Sequence, residues 1–312
     1  KIRRQGYVMQ YPLQFRGEAL MSAPFYVWGI VNTTPDSFYD GGCYEKADHA
    51  IAHARLLWEQ GACILDIGGA SSRPGAEDVD SLEEWRRIAP VISAVKGFSA
   101  EEYVSCRGAD MIRTDIVPLD FGRKPLVSVD TWRASVAEKA LEKGVEIIND
   151  ISAFSWEKEL LDVVADYKPL YVLMHCKGRP QTMQETPCYG DVVKEVYAFF
   201  EEKMNILVQK GLPEENIILD FGIGFGKTLE HNLDLLRHIQ VFESLKRPLL
   251  LGLSQKSLFG HLLGLKKNER SVSTQVCTAL AMRQGIRHHR VHEVKETVET
   301  LALTYALQNG NV

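Results

Sequence analysis

Acids, amides, a lysine and an arginine–histidine pair recur in this chain at one kind of place, the end of a short apolar run. Asn32 closes "FYVWGIVN", Asp66 lies in "CILDIGG", and Asp130 ends "PLVSVDT". Asn149 and Asp150 end "VEIINDI", His175 ends "LYVLMH", and Asp220 lies in "IILDFG". Ser254 ends "LLLGLS", and Arg290 and His292 lie in "HHRVHEV". Acid, amide and amine from Asp130, Asn149, Asp220 and Lys256 would suit a flat heterocycle with several donors and acceptors. A protein that only binds such a ring would use the same set. Arg290 and His292 suit an anion, because a guanidinium presents a planar fork of donors. In a strand, residues 288, 290 and 292 share one face, so His288 joins them. The arginine would repel a metal ion there, which favours an anion site over a histidine metal site.

Other stretches carry chemistry less specifically. Residues 30–42, "IVNTTPDSFYDGG", crowd small polar side chains after an apolar strand and end on two glycines, more than a plain connector needs. "GGASSRPGA", residues 68–76, sets Arg73 among hydroxyls and glycines, as an anion clamp or as a solvated surface loop. "DFGIGFGKT", residues 220–228, fails as a phosphate loop because Phe221 stands where the first glycine is required. Its glycines are expected to bring the loop close to a ligand, with Phe225 offering a flat face. "LGLSQKSLFG", residues 251–260, places Ser254, Lys256 and Ser257 where a helix begins, as an anion site or as a plain cap. His49 and His53, one helical turn apart, read as a solvated helix face because no third ligand lies near. No serine nucleophile elbow is present.

These groups need a scaffold that gathers strand ends. Eight apolar runs alternate with helical patterns such as "KADHAIAHARLLWEQG" and "TWRASVAEKALEKG", and several helices stop at a glycine: Gly61, Gly144, Gly211 and Gly285. Eight such units predict an α/β fold, a (β/α)8 TIM barrel with its active site at the C-terminal ends of the strands. The rival is an open doubly wound sheet. Within the 312 residues, 1–24 are expected to form an irregular lead-in and 25–312 a single barrel domain. Residues 97–124 form a longer, partly charged connection, expected on the N-terminal side of the barrel, away from the chemistry.

Composition removes several function classes. A net charge of −5 without a basic stripe argues against nucleic acid. No apolar run reaches the ~18 residues that span a membrane. The six cysteines include no C-x-x-C pair, which predicts free thiols in a reducing, cytoplasmic compartment. The chain begins with Lys, which suits a processed chain or a piece of a longer one.

Together the motifs resemble one family. "GIVNTTPDSFYDGG", "LDIGGASSRPGA", "VSVDT", "IINDI", "VLMH", "ILDFGIGFGKT" with "EHN", "GLSQKS" and "RVHEV" occur in the order found in dihydropteroate synthases, from about Val27 to His292. The resemblance implies an enzyme of folate biosynthesis, a transferase that joins 6-hydroxymethyl-7,8-dihydropterin pyrophosphate to para-aminobenzoate and releases pyrophosphate, with sulfonamides competing for the second substrate. It implies a pterin pocket of Asp130, Asn149, Asp220 and Lys256, with Met174 and Phe225 packing on the ring. It assigns Arg290 and His292 to the pyrophosphate, with Asn32 and a Mg2+ ion completing that site. Phe38, Ser72, Arg73 and Pro74 would close over the aminobenzoate, whose carboxylate would meet Ser257. The "NTTPDSF" loop is thereby expected to act as a lid. The likeness further implies a homodimer and, in some members, fusion to hydroxymethyldihydropterin pyrophosphokinase.

The chain departs from the family's usual pattern at Gln255 (usually Arg), Phe221 (Pro), Ala70 (Glu), Ser72 (Thr) and Glu293 (Asp). Gln255 removes a positive charge beside the aminobenzoate site. A pterin-binding methyltransferase on the same barrel is the first alternative, and it does not need the lid, Arg73 or the Arg290–His292 strand. A catalytically silent pterin-binding relative is the second, and retention of Asn32, Arg73, Lys256, Arg290 and His292 argues against it.

Overall fold

The computed structural model describes residues 14–15, 18–19, 23–34, 43–70, 79–99, 101, 103, 112, 117, 119, 124–179, 182–183 and 187–309. Eight parallel strands close into a barrel in chain order: β1 (Tyr26–Asn32), β2 (Ile64–Gly68), β3 (Leu126–Asp130), β4 (Ile147–Asp150), β5 (Leu170–Met174), β6 (Ile217–Asp220), β7 (Leu249–Leu251) and β8 (His288–Val291). The helices between and after them are α1 (Cys43–Glu59), α2 (Ser81–Lys96), α3 (Ala134–Glu142), α4 (Leu160–Tyr167), α5 (Val192–Lys210), α6 (Leu229–Arg237), α7 (Ser257–Leu263), α8 (Ser271–Arg283) and α9 (Val294–Asn309). The TIM barrel expected from the eightfold alternation is the fold found, and β8 pairs back onto β1, which an open sheet could not do.

Strand alternation explains the layering. Val27, Val31, Leu65, Ile67, Val127, Val129, Ile148, Leu173 and Leu219 face outward into the helix layer. Trp28, Ile64, Ile147, Leu170, Val172, Ile218 and Leu250 face inward and fill the lower lumen as a second apolar cluster. The barrel is therefore plugged at one end, and its polar residues stand above the plug. Cross-strand register lines them up: Asn32 beside Gly68, Gly68 beside Asp130, Asp130 beside Asn149, and Met174 beside Asp220.

Local chemistry sets the helix ends. Asp80 caps α2 by accepting from Glu83 N at 2.8 Å. Gly211 closes α5 at φ 108°, and Gly61, Gly144 and Gly285 also adopt positive φ, the left-handed geometry the sequence required of them. Between Lys96 and Leu126, Phe98 and Tyr103 pack on Trp58 with ring centroids 5.2 and 5.0 Å apart. Most of residues 97–124 lie outside the described residues. Of the lead-in, a two-residue hairpin, Gln14–Phe15 with Glu18–Ala19, is described. No helix among the described residues is long and apolar enough to cross a membrane.

Candidate active site

A buried ionic network forms the floor above the plug. Asp66, fully buried in β2, accepts from Ser128 Oγ at 2.5 Å, Asn149 Nδ2 at 3.1 Å and Arg290 Nε at 2.6 Å. Arg290 Nη2 donates to Asp130 Oδ2 at 2.8 Å. Burial pushes Asp130 up to about 7, although Arg290 opposes it, and the neighbouring Asp66 adds to the rise. Arg290 thus lies among carboxylates, with its side chain only 21% exposed, rather than reaching out of the barrel as an open anion clamp would.

One wall comes from β6 and its loop. Asp220 accepts from Gly222 N at 2.8 Å, and burial raises its carboxyl above the usual range against that bond. Lys256 Nζ stands 4.2 Å from the centroid of the Phe225 ring. Burial lowers Lys256 to about 8, with Asp220 pulling the other way. Phe225 joins Met174, Ile151 and Trp132, with Trp156 and Cys176 alongside, in an apolar patch at the mouth.

The glycines of "GIGFG" have a different cause from the one expected. A Cβ on Gly222 would overlap the His175 carbonyl oxygen, and one on Gly226 would overlap that of Lys177. They bring the loop against the end of β5, and Gly222, Gly224 and Gly226 all take positive φ. Lys227 turns inward: Nζ donates to the carbonyls of His175, Gly222 and Phe225 at 3.2, 3.0 and 3.0 Å and meets His175 Nδ1 at 2.9 Å. Burial lowers Lys227 to about 7 and His175 to about 2, so the imidazole is neutral. This lysine clamps the loop that carries Phe225.

The histidine strand divides by depth. His292 meets Ser254 Oγ through its backbone N at 3.2 Å and Nδ1 at 3.0 Å, at the rim. His288 does face the lumen, but inside the plug, stacked on Tyr26 at 4.5 Å and accepting from Trp28 Nε1 at 3.2 Å. Burial lowers it to about 3, so this ring is neutral and serves packing, not anion binding. His53 is half-buried and lowered by burial. Among the described residues no group of three His, Cys, Asp or Glu side chains is placed to hold a metal.

Asn32 ends β1 half-buried beside Gly68, with its Oδ1 4.0 Å from where a Cβ on Gly68 would stand, an ordinary contact. Ser257 is exposed as the first residue of α7, and Gln255 just before it holds φ 58°. Arg270 Nη1 donates to the Gln255 carbonyl at 3.0 Å. Phe38, Ser72, Arg73 and Pro74 lie outside the described residues. The residues flanking 71–78 are held firmly. Arg87 Nη1 donates to Gly69 O at 3.0 Å, while Arg133 donates to Val79 O and, at 2.9 Å, to the fully buried Glu84.

The structure therefore brings Asp130, Asn149, Asp220, Lys256, Met174, Phe225 and Arg290 to one mouth, with Asn32, His292 and Ser257 at strand ends and loops of the same rim. Sequence reasoning missed Ile151, Trp132 and Lys227. Ile151 follows Asn149 by two positions, so extending the alternation would have found it. Lys227 gave no signal, because its inward turn depends on His175 in another segment and on carbonyls of its own loop.

Comparison with known proteins fits this geometry. A family model described as pterin binding enzyme matches residues 28–106 and 118–292. The chain is 38% identical to dihydropteroate synthase of Escherichia coli K12 over 291 residues, which cover 93% of this chain and 94% of that one. The Yersinia pestis dihydropteroate synthase in a sulfonamide drug complex superposes with a TM-score of 0.81 at 36% identity, covering 96% of this chain and 99% of that one. The Xanthomonas albilineans enzyme in complex with 7,8-dihydropteroate superposes with a TM-score of 0.74 at 33% identity, covering 97% and 95%.

Proposed function

The chain belongs to the dihydropteroate synthase family of pterin-binding enzymes, and from that premise we propose how its residues divide the work. The reaction joins 6-hydroxymethyl-7,8-dihydropterin pyrophosphate to para-aminobenzoate, giving 7,8-dihydropteroate and pyrophosphate. The observation that carries the assignment is the convergence of Asp130, Asn149, Asp220 and Lys256 beside the apolar patch of Met174, Ile151 and Phe225. A flat ring with a polar edge fits that combination.

Asp220 and Asn149 accept from the ring's N–H groups, and Lys256 donates to its oxygen or nitrogen acceptors. Met174 and Phe225 hold the ring faces. Arg290 and His292 hold the diphosphate, and Arg290 remains tied to the floor. Phe38, Ser72, Arg73 and Pro74 cover the aminobenzoate, and Ser257 meets its carboxylate.

Loss of diphosphate before attack suits these groups. The ring nitrogens delocalise the resulting cation, and the Asp130 and Asp220 carboxylates stabilise it across a short desolvated distance. The weakly basic aniline then meets an electron-poor carbon, so no strong general base is needed. The 30–42 loop excludes water, the competing nucleophile.

Asn32 fits a Mg2+ ion. A hard cation that keeps most of its waters and takes substrate phosphates needs one protein oxygen, and the half-buried Asn32 offers its Oδ1 at the end of β1. When bound, the ion neutralises charge on the departing diphosphate.

A homodimer is the assembly we favour. On α8, Val272, Val276 and Leu280 are 75%, 54% and 53% exposed at one-turn spacing, and on the adjoining α9, Leu303 and Leu307 are 62% and 79% exposed. We assign residues 25–312 to one domain with an insertion at 97–124, which the break in the family match at 107–117 supports. A cytoplasmic site suits the free thiols of Cys63, Cys176, Cys188 and Cys277.

The test is an assay with dihydropterin pyrophosphate, aminobenzoate and Mg2+, reading pyrophosphate release. No release above background would sink the reading. Isotope exchange of pyrophosphate into the pterin substrate without aminobenzoate tests the order, and a strict need for aminobenzoate would favour concerted displacement.

A further inference from the structure

We infer that Asp66, to which the functional reading gives no role, is a positioning residue that sets which atoms the pocket floor presents to the pterin; the inference rests on that reading of the pocket. Asp66 lies in the middle of β2 and is fully buried. Its three donors come from three other strands: Ser128 Oγ at 2.5 Å, Asn149 Nδ2 at 3.1 Å and Arg290 Nε at 2.6 Å. Two of the three belong to residues assigned to the substrates.

The consequence follows from donor and acceptor inventory. A carboxylate only accepts. Asn149 must therefore turn its NH2 toward Asp66, and its Oδ1 points the other way. An Asn149 turned over would set oxygen against oxygen in a buried site, leaving two acceptors unsatisfied. Arg290 is fixed likewise, with Nε on Asp66 and Nη2 on Asp130 Oδ2 at 2.8 Å, so two carboxylates from neighbouring strands define its plane. Asn149 Oδ1 and the Asp220 carboxylate thereby make the pocket an acceptor-lined slot. Such a slot selects a ring edge rich in N–H donors, as in a 2-amino-4-oxopteridine. It rejects a 2,4-dioxopteridine, whose carbonyl replaces the amino group.

Asp66→Asn tests this, because it preserves shape while letting residue 66 offer either oxygen or NH2 to Asn149. Calorimetry should give the wild-type chain a clear preference for the 2-amino ring over the dioxo ring. In Asp66→Asn that preference should fall about tenfold, the size expected for one buried hydrogen bond reversed. Ser128→Ala, which removes a partner of Asp66 but not its charge, should keep it. An unchanged preference in folded Asp66→Asn overturns the inference. Failure of the wild-type chain to bind either ring instead overturns the pocket reading itself. Should Asp66→Asn not fold, the Asn149 side-chain amide of the wild-type chain decides by NMR. Exchange-protected NH2 signals that barely move when the ring binds support the inference. A large shift, meaning that NH2 touches the ligand, overturns it.

Discussion

Lys256 meets two opposed demands, burial that disfavours its charge and a substrate that needs it. In the free chain its ammonium titrates near 8, held there by burial against Asp220. The charged form is therefore present below about 8 and lost above it, so pterin affinity should weaken as pH rises from 7 to 9, read by calorimetry. In Lys256→Ala the weakening above about 8 should vanish, leaving only what Asp130 contributes near 7, and affinity should drop by roughly 1.5–3 kcal/mol, one charge-assisted hydrogen bond. Arg73→Ala should leave pterin binding nearly intact and instead raise KM for aminobenzoate and lower kcat, since its contacts form around the reacting state. Equal loss of pterin affinity in both variants would refute the division. At Asn32, excess chelator should abolish turnover while the pterin still binds, and full activity in chelator would remove the metal from the scheme. Asp130, Asn149, Asp220 and Lys256 were legible in sequence because each sits at or just past a strand end with an apolar run before it. Asp66 was placed at a strand end but given no role, and Lys227 was not singled out, because their roles depend on register and on partners such as His175, far away in the chain.

Among the elements, the loop between β2 and α2 shows how a scaffold holds a segment by its ends. Arg133, preceding α3, grips Val79 O and the buried Glu84, and Arg87 in α2 grips Gly69 O. Arg133→Ala should remove the ion pair to the buried Glu84 carboxylate and cost about 3–5 kcal/mol in urea unfolding. Adding Glu84→Gln should recover much of that loss, because a neutral amide is cheaper to bury than a carboxylate whose ion pair has been removed. A double variant no more stable than the single one would mean that the arginine acts through packing alone. None of this could be read from "GGASSRPGA", where Arg73 drew attention, because the anchoring arginines lie outside that motif, Arg87 in α2 and Arg133 just before α3. The helices and strands themselves were legible, since apolar period and glycine stops are local signals. His288 was read onto the right face but at the wrong depth, because alternation gives a side and not a layer.

For the whole molecule, the exposed apolar stripe of α8 and α9 gives the assembly prediction. Val276→Glu should convert a dimer into a monomer in sedimentation equilibrium, whereas Leu56→Glu, on α1, should not, although Leu56 is also 48% exposed. A wild-type chain that sediments as a monomer across micromolar concentrations would remove the dimer. The fold class was legible from eight repeated units, whose number pointed to a closed barrel over an open sheet, although the pairing of β8 with β1 itself leaves no local trace. The apolar plug has a consequence of its own. With Trp28, Ile64, Leu170 and Leu250 packed across its base, the barrel is a blind alley with one doorway. Cargo that travels deepest must go in first, and whatever parks behind it blocks its exit. The pterin should therefore load before the aminobenzoate, and a molecule lodged in the outer berth should trap the inner one, slowing its escape.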